Sequence, residues 1–550
     1  MKDLFVSVGK YFSRSAEWWL LGLGVFLRLW HYLGNRSLWL DEACAAVSVA
    51  SRSYGEILRH FEVMPEFAHP PMLFMLLERW LIGLFGNNEM ALRVFPLFCG
   101  VGALVAFFLV TRAFLSRRTL LLAMALFAIN DPLVYYSAEI KQYSTDLLVM
   151  LGLLWYGEKL AKEGIGWGKA AILALAGAVV LWLSNAMVFM LAAMAAVLVV
   201  RAWQRRSAAE LLRLATACFV WAVSFAALYF LSLGQMVGND KLKATWEGAL
   251  FTGSLFSGQA LTWLGQVVVD SFRNPLGLAW PILCVGLFLI GACQLVRSNA
   301  TRAALYLLPV LLALVAGWLG KYPFRGRVLL FLVPCYLVAL STGVEALAQW
   351  FRRFDKWVLA LLALLLLAYP VQVAAANLVQ GRDWVENRPV MEFFRDHYEP
   401  GDFVVMNTSE QPPFWYYINS LGIGAELRLE QLGVLEGEKL QGLRVAKFAR
   451  DLVEKDNRRL VAYRYEYHVC DAKGRFRRLL VPNLREAHFV HDDEAISGLP
   501  AGRTWLILSK APEDDDRVIN GIIRDAFDRR AGRLLAYERR NAAAYLYEMP

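Results

Sequence analysis

Long apolar runs, separated by short polar and basic stretches, set the pattern over the first 380 residues; after that the pattern shortens and turns mixed. A helix needs roughly 20 apolar residues to cross a bilayer. On that measure the chain predicts about eleven spans: 17–33, 90–110, 120–134, 144–158, two short ones within 170–200 broken near Ser184-Asn185, 211–232, 276–296, 303–319, 328–347 and 357–376. The run 72–86 is too short for a span and carries Glu78-Arg79, so it reads as an interfacial or re-entrant helix. Residues 41–61 read as an amphipathic helix lying on the membrane, and 233–275 as a long loop.

Beyond residue 380 apolar and polar residues alternate in short segments. Helix 383–397, strand 403–406, helix 444–456, strand 460–466, strand 504–509, helix 517–528 and strand 534–547 predict a small α/β domain. The expected organisation is a transmembrane catalytic domain over 1–379 and a soluble α/β domain over 380–550.

Charge then fixes the sidedness. The net charge is +9, but residues 1–379 hold 31 Lys/Arg against 20 Asp/Glu (+11), and 380–550 hold 26 against 28 (−2). The excess base belongs to the membrane half, where it sets topology; nucleic acid is excluded as a partner. Lys2, Lys10 and Arg14 place the N-terminus in the cytoplasm. No small-residue cleavage site follows, so the first span reads as uncleaved. An odd number of spans leaves the C-terminal domain outside, which for a bacterial inner membrane means the periplasm. The seven Cys form no disulfide or zinc pattern. No Walker, GxGxxG or GxSxG motif is present, and the acidic runs His491–Glu494 and Glu513–Asp516 lack a phosphate cradle and read as solvated loops.

On this topology four chemistry-bearing segments face outward. Asp41 and Glu42 sit where the first span ends; acids are costly in hydrocarbon, so their position at its edge points to catalysis, with helix capping as the plainer alternative. His69-Pro70-Pro71 is a rigid turn holding a titratable ring. Glu139, Lys141 and Tyr143 form Glu-x-Lys-x-Tyr, a candidate substrate contact or a structural ion pair. Lys321, Arg325 and Arg327 form the one basic loop placed against the positive-inside bias. A cluster held there suits a lipid phosphate; snorkelling to headgroups is the alternative.

Four motifs carry a family resemblance: Leu38-Trp39-Leu40-Asp41-Glu42-Ala43, His69-Pro70-Pro71, Tyr136-Ser137-Ala138-Glu139-Ile140-Lys141-Gln142-Tyr143, and Arg327 with the apolar run to Pro334. They resemble the GT-C membrane glycosyltransferases, more closely the branch of protein mannosyltransferase-like and lipid A aminoarabinose transferase-like bacterial enzymes. The resemblance covers about 17–347, and Trp384 to Val405 looks like the outer α/β domain of some members. It implies transfer of a sugar from a polyprenyl-phosphate carrier to a glycan, lipid or protein acceptor, with inversion. The role of base, or of a residue beside a metal, then falls on Asp41 with Glu42 next to it; a divalent metal ion stays open as a cofactor, and none is certain. The chain departs from the family in having His69 before the prolines where a Lys is also common, and Lys141 where many relatives have Arg. Lys keeps the charge without the bidentate fork. The rival readings are a lipid-linked sugar transporter or flippase, which needs polar residues along a path through the spans, and a binding-only relative.

Overall fold

The computed structural model describes residues 2–59, 70–234, 246, 248–382, 384–399, 402–407, 410–422, 444–449, 464–470, 476–480, 501–509 and 515–550. The chain divides into two compact units. One comprises Met1–Gly34, Pro70–Leu77 and Arg93–Gly381; the other comprises Asn35–His69, Glu78–Leu92 and Arg382–Pro550.

The first unit is a helical bundle. Its helices are α1 (Lys2–Leu33), then, with α2–α4 intervening, α5 (Glu89–Thr111), α6 (Arg117–Ile129), α7 (Asp131–Tyr135), α8 (Tyr143–Glu163), α9 (Trp167–Leu183), α10 (Met187–Gln204), α11 (Ala208–Leu228), α12 (Gly258–Arg273), α13 (Pro281–Ser298), α14 (Ala300–Trp318), α15 (Val333–Trp350) and α16 (Asp355–Gln380). Local signals set many of the starts. Ser116, Ser257 and Asn299 cap α6, α12 and α14 by accepting the N–H of Thr119, Ala260 and Arg302. Asn130 caps α7, and Pro132 follows inside its first turn, which bends α6 against the Asp131–Ala138 segment by 54°.

The protein is a multi-pass membrane protein, but the count of about eleven spans is not confirmed. Among the described residues seven helices are long and apolar enough to cross a membrane, eight if the bent pair is one span. Of the eleven runs, those in α1, α8 and α9 fall outside that set: α1 carries a buried Arg28, α8 a buried Asp146, and α9 has 17 residues. The expected loop 233–275 contains the 16-residue helix α12. The short run 72–86 is the 14-residue helix α4 (Met72–Phe85).

Helices α13 and α15 approach at backbone contact. A Cβ on Gly291 would overlap the Ala339 carbonyl, and one on Gly343 the Leu287 carbonyl. Small residues at such crossings let membrane helices gain packing that apolar burial does not supply. Gly291→Ala must therefore push the two helices apart. The expected result is a Tm in detergent lower by several degrees, with lower membrane yield; an unchanged melting curve would contradict this packing.

The second unit holds α2 (Leu40–Ala50), α3 (Tyr54–Arg59) and a seven-stranded mixed sheet ordered β4-β3-β2-β1-β5-β7-β6. The strands are β1 (Phe403–Asn407), β2 (Arg444–Ala449), β3 (Arg464–Cys470), β4 (Phe476–Leu480), β5 (Gly502–Ser509), β6 (Gly532–Arg539) and β7 (Ala542–Met549). β1 runs parallel to β2 and β5; the remaining pairs are antiparallel. Its helices are α17 (Asn387–His397), α18 (Gln411–Ser420) and α19 (Asp515–Arg530).

Several expectations change here. Residues 444–449, expected to be helical, form strand β2; the rest of that expected helix and the run His491–Glu494 lie outside the described residues. The single strand expected over 534–547 is the hairpin β6–β7, turned at Arg540-Asn541 with Asn541 at φ 58°. Asn tolerates that left-handed conformation, which explains the tight turn without glycine. Helix α18 was not anticipated behind Pro412-Pro413, yet prolines suit a first turn, where their missing N–H costs nothing. The amphipathic membrane-surface helix 41–61 is instead α2 and α3, separated by Ser51-Arg52-Ser53. Residues Asp41 to Val49 are buried throughout, and α2 packs on α18.

Candidate active site

The first candidate segment lies wholly in the second unit. Asn35 takes φ 41°, the chain then runs extended to Trp39, and α2 begins at Leu40. Asp41 and Glu42 fall in the first turn, where free N–H groups and the helix dipole favour anions. Asp41 is 8% exposed and Glu42 fully buried. Glu42 is engaged: Arg36 Nη1 donates to its Oε2 at 2.7 Å, with both side chains buried.

The segment leading to these acids is held from several sides. Tyr417 Oη accepts the Leu38 N–H at 2.9 Å and donates to Glu89 Oε1 at 2.9 Å. Arg388 Nε donates to the same Glu89 oxygen at 2.6 Å. Arg388 Nη2 donates to the Asn35 carbonyl at 2.7 Å and the Arg36 carbonyl at 3.2 Å, and its backbone N–H to Ser37 Oγ at 3.1 Å. Asn387 Nδ2 donates to the Leu38 carbonyl at 3.0 Å. Burial, reinforced by Glu89, pushes the Tyr417 hydroxyl far above its ordinary pKa, so it stays a donor.

Helix α18, which covers α2, starts at Glu410, a buried carboxyl. Burial pushes its pKa up to about 8, with Ser509 pulling the other way. Between roughly pH 4.5 and 8 the folded chain keeps a proton that the unfolded chain releases. That contribution to stability is complete below the unfolded pKa and is lost as pH rises through the folded one, at about 1.4 kcal/mol per unit. The Tm in detergent should fall from pH 5 to pH 8, and Glu410→Gln should flatten the decline; equal slopes for the two proteins would contradict it.

The Glu139–Tyr143 and Lys321–Arg327 segments lie in the first unit. The Tyr136–Ala138 turn packs on α5 at Gly100, where a Cβ would stand 2.5 Å from Ser137 Cβ. That close approach brings Glu139, Lys141 and Tyr143 into the bundle: they are 0%, 3% and 5% exposed. Tyr136 meets Tyr143 edge-to-face at 4.9 Å and Tyr135 at 5.0 Å. Arg327 sits with its guanidinium 5.9 Å from the Tyr143 ring centroid. The structure thus brings together one residue each from the Glu139–Tyr143 segment and the basic loop.

The basic loop is shaped by Gly320 (φ 65°) and Gly326 (φ 61°), conformations that L side chains rarely adopt. Tyr322 Oη donates to the Val328 carbonyl at 2.7 Å, and the Phe324 N–H donates to the Ala249 carbonyl at 2.9 Å. Lys321 and Arg325 are exposed, Arg327 is half-buried, and among the described residues Lys321 and Arg325 have no ion pair.

His69 lies outside the described residues. Among the described residues no group of three His, Cys, Asp or Glu could hold a metal ion. Sequence reasoning missed Arg36, Glu89, Arg388 and Tyr417 around the first segment, and Asp146, which stands buried beside Ser184 and near Tyr322. A signal for Asp146 existed: it is an acid at the end of an apolar run, the same argument that singles out Asp41.

No protein-family model matches the chain, and no curated protein sequence does. Among solved structures it is similar to ArnT from Cupriavidus metallidurans bound to undecaprenyl phosphate, at 11% identity and TM-score 0.49 over 96% of this chain and 97% of that one. It is also similar to the oligosaccharyltransferase of Archaeoglobus fulgidus in complex with zinc and sulfate, at 13% identity and TM-score 0.46 over 72% of this chain. The chain matches 61% of the length of the archaeal oligosaccharyltransferase.

Proposed function

We propose that this protein is a glycosyltransferase of the bacterial inner membrane that moves a sugar from a polyprenyl-phosphate carrier to a hydroxyl acceptor on the periplasmic side, with inversion. The observation that carries the reading is the glycine-shaped loop presenting Lys321, Arg325 and Arg327, two of them without an ion pair among the described residues and the third over Tyr143. Such a loop suits a phosphate ester at a membrane boundary. Residues 1–379 form the catalytic domain in this reading, and 380–550 the periplasmic α/β domain that meets the acceptor, whether glycan, lipid or protein.

Asp41 takes the proton of the acceptor hydroxyl as its oxygen bonds to the anomeric carbon. The bond from that carbon to the phosphate oxygen breaks, and the electron pair leaves with the polyprenyl phosphate. Lys321, Arg325 and Arg327 stabilise the charge that builds there. His69, Glu139, Lys141 and Tyr143 are assigned to substrate binding, and Glu42, paired with Arg36, stands next to Asp41 in the chain. The transfer is tested with purified protein in detergent and a polyprenyl-phosphate sugar labelled in the sugar. Labelled acceptor and free polyprenyl phosphate are expected; an intact donor that instead crosses a proteoliposome bilayer would establish the transporter. Arg327→Ala should raise the KM for donor about tenfold, and Arg327→Lys should recover part of that loss, since charge remains without the fork; equal KM values for all three would remove Arg327 from the phosphate site.

A further inference from the structure

Resting on the assignment of Asp41 as the proton acceptor, we propose that Tyr417, Glu89 and Arg388 are positioning residues for that acid: they form a buried polar clamp through which the C-terminal part of the chain sets the geometry of the Ser37–Asp41 segment.

Four observations carry this. First, the residues that hold the segment come from distant parts of the sequence: Glu89 opens α5, Arg388 lies in the first turn of α17, and Tyr417 is in α18. None of these contacts follows from local folding, so each was built by tertiary structure. Second, the contacts fall on the backbone immediately before the acid. Tyr417 takes the Leu38 N–H, Asn387 donates to the Leu38 carbonyl, and Arg388 reaches the Asn35 and Arg36 carbonyls. Residues 35–39 belong to neither helix nor strand, so side chains supply what a ladder would otherwise provide. Third, the clamp is closed. Glu89 Oε1 receives both Arg388 Nε and Tyr417 Oη, so the two grips on the segment share one carboxylate. Fourth, its core is buried: Tyr417 is 1% exposed, Glu89 7% and Asn387 1%, with Arg388 half-buried at its edge. Hydrogen bonds shielded from water hold geometry more firmly than exposed ones.

A general base works over a narrow range of distance to the proton it takes. Releasing the Leu38 N–H allows the start of α2 to shift, and with it Asp41 three residues on. Tyr417→Phe removes only the hydroxyl that links Leu38 to Glu89. Glu89→Gln leaves the shape and removes the charge that draws Arg388 and Tyr417 together.

The test uses the full-length protein in detergent, in two measurements. In the transfer assay, Tyr417→Phe and Glu89→Gln should each lower kcat about tenfold with KM for donor within twofold. The double variant should be no slower than the worse single variant, because both break one clamp. Hydrogen–deuterium exchange should show amides 35–42 exchanging at least tenfold faster in Tyr417→Phe, with the rest of the chain unchanged. Wild-type kcat in Tyr417→Phe, or wild-type protection of amides 35–42, overturns the clamp. A purely structural effect would instead lower Tm and lose active protein at constant kcat per folded molecule, and that outcome also overturns it. Asp41→Asn run alongside separates the two ideas: if it transfers sugar normally, the assignment of the base fails, and the exchange measurement still decides the clamp.

Discussion

Asp41→Asn should lower kcat for sugar transfer by a factor of about 10² to 10⁴, the range that a positioned general base contributes, while leaving KM for the polyprenyl-phosphate donor within a few-fold. The substitution is nearly isosteric. It sits in the first turn of α2, where an amide oxygen still accepts from the helix N–H groups. Folding should therefore survive, and the loss should be in the chemical step. Donor binding should survive too, because the cations assigned to the phosphate, Lys321, Arg325 and Arg327, belong to another part of the chain. Single-turnover rates with labelled donor measure this directly. The pH profile adds a second check: the acid limb of kcat, set by protonation of the base, should vanish in Asp41→Asn. A folded variant with normal single-turnover rate would remove Asp41 from the mechanism. One that binds donor a hundredfold more weakly at unchanged kcat would move Asp41 to the donor site.

Legibility in the sequence tracked how local the cause was. The apolar runs behind α5, α10, α11 and α13–α16 were readable because hydrophobicity alone decides a span. The runs behind α1, α8 and α9 read as spans from the sequence yet fall outside that set, since α1 carries Arg28, α8 carries Asp146 and Glu158, and α9 has 17 residues. Arg28 is accommodated by donating to the carbonyls of Gly24 and Ala128, a solution that depends on α6 being near. The fate of α2 was invisible for the same reason. Its sequence, Leu40-Asp41-Glu42-Ala43-Cys44-Ala45-Ala46, mixes two charges with small residues, and from the sequence it reads as part of a membrane-surface helix. What buries it is α18, some 370 positions later, and no local pattern announces that partner. The basic loop could be located from charge asymmetry. Its contact with Tyr143 could not, since the 184 positions between Arg327 and Tyr143 are bridged only by packing.

Arg36→Ala should destabilise the second unit by about 3–5 kcal/mol, the cost of leaving one member of a buried pair without its partner. Glu42 is fully buried, and Arg36 Nη1 donates to it at 2.7 Å from a side chain only 5% exposed. Removing the guanidinium takes a counter-charge away from a carboxylate held in low dielectric. Arg36→Met with Glu42→Leu removes both charges and fills the space. That double variant should recover most of the lost stability, because a buried ion pair often does little better than an apolar replacement of similar volume. Urea unfolding followed by limited proteolysis of Asn35–His69 and Arg382–Pro550 reads the three proteins side by side. If Arg36→Ala unfolds with wild type, the pair contributes nothing to stability. If the double variant is as unstable as Arg36→Ala, the buried charges are specifying the path of the chain into α2, and shape alone does not replace them.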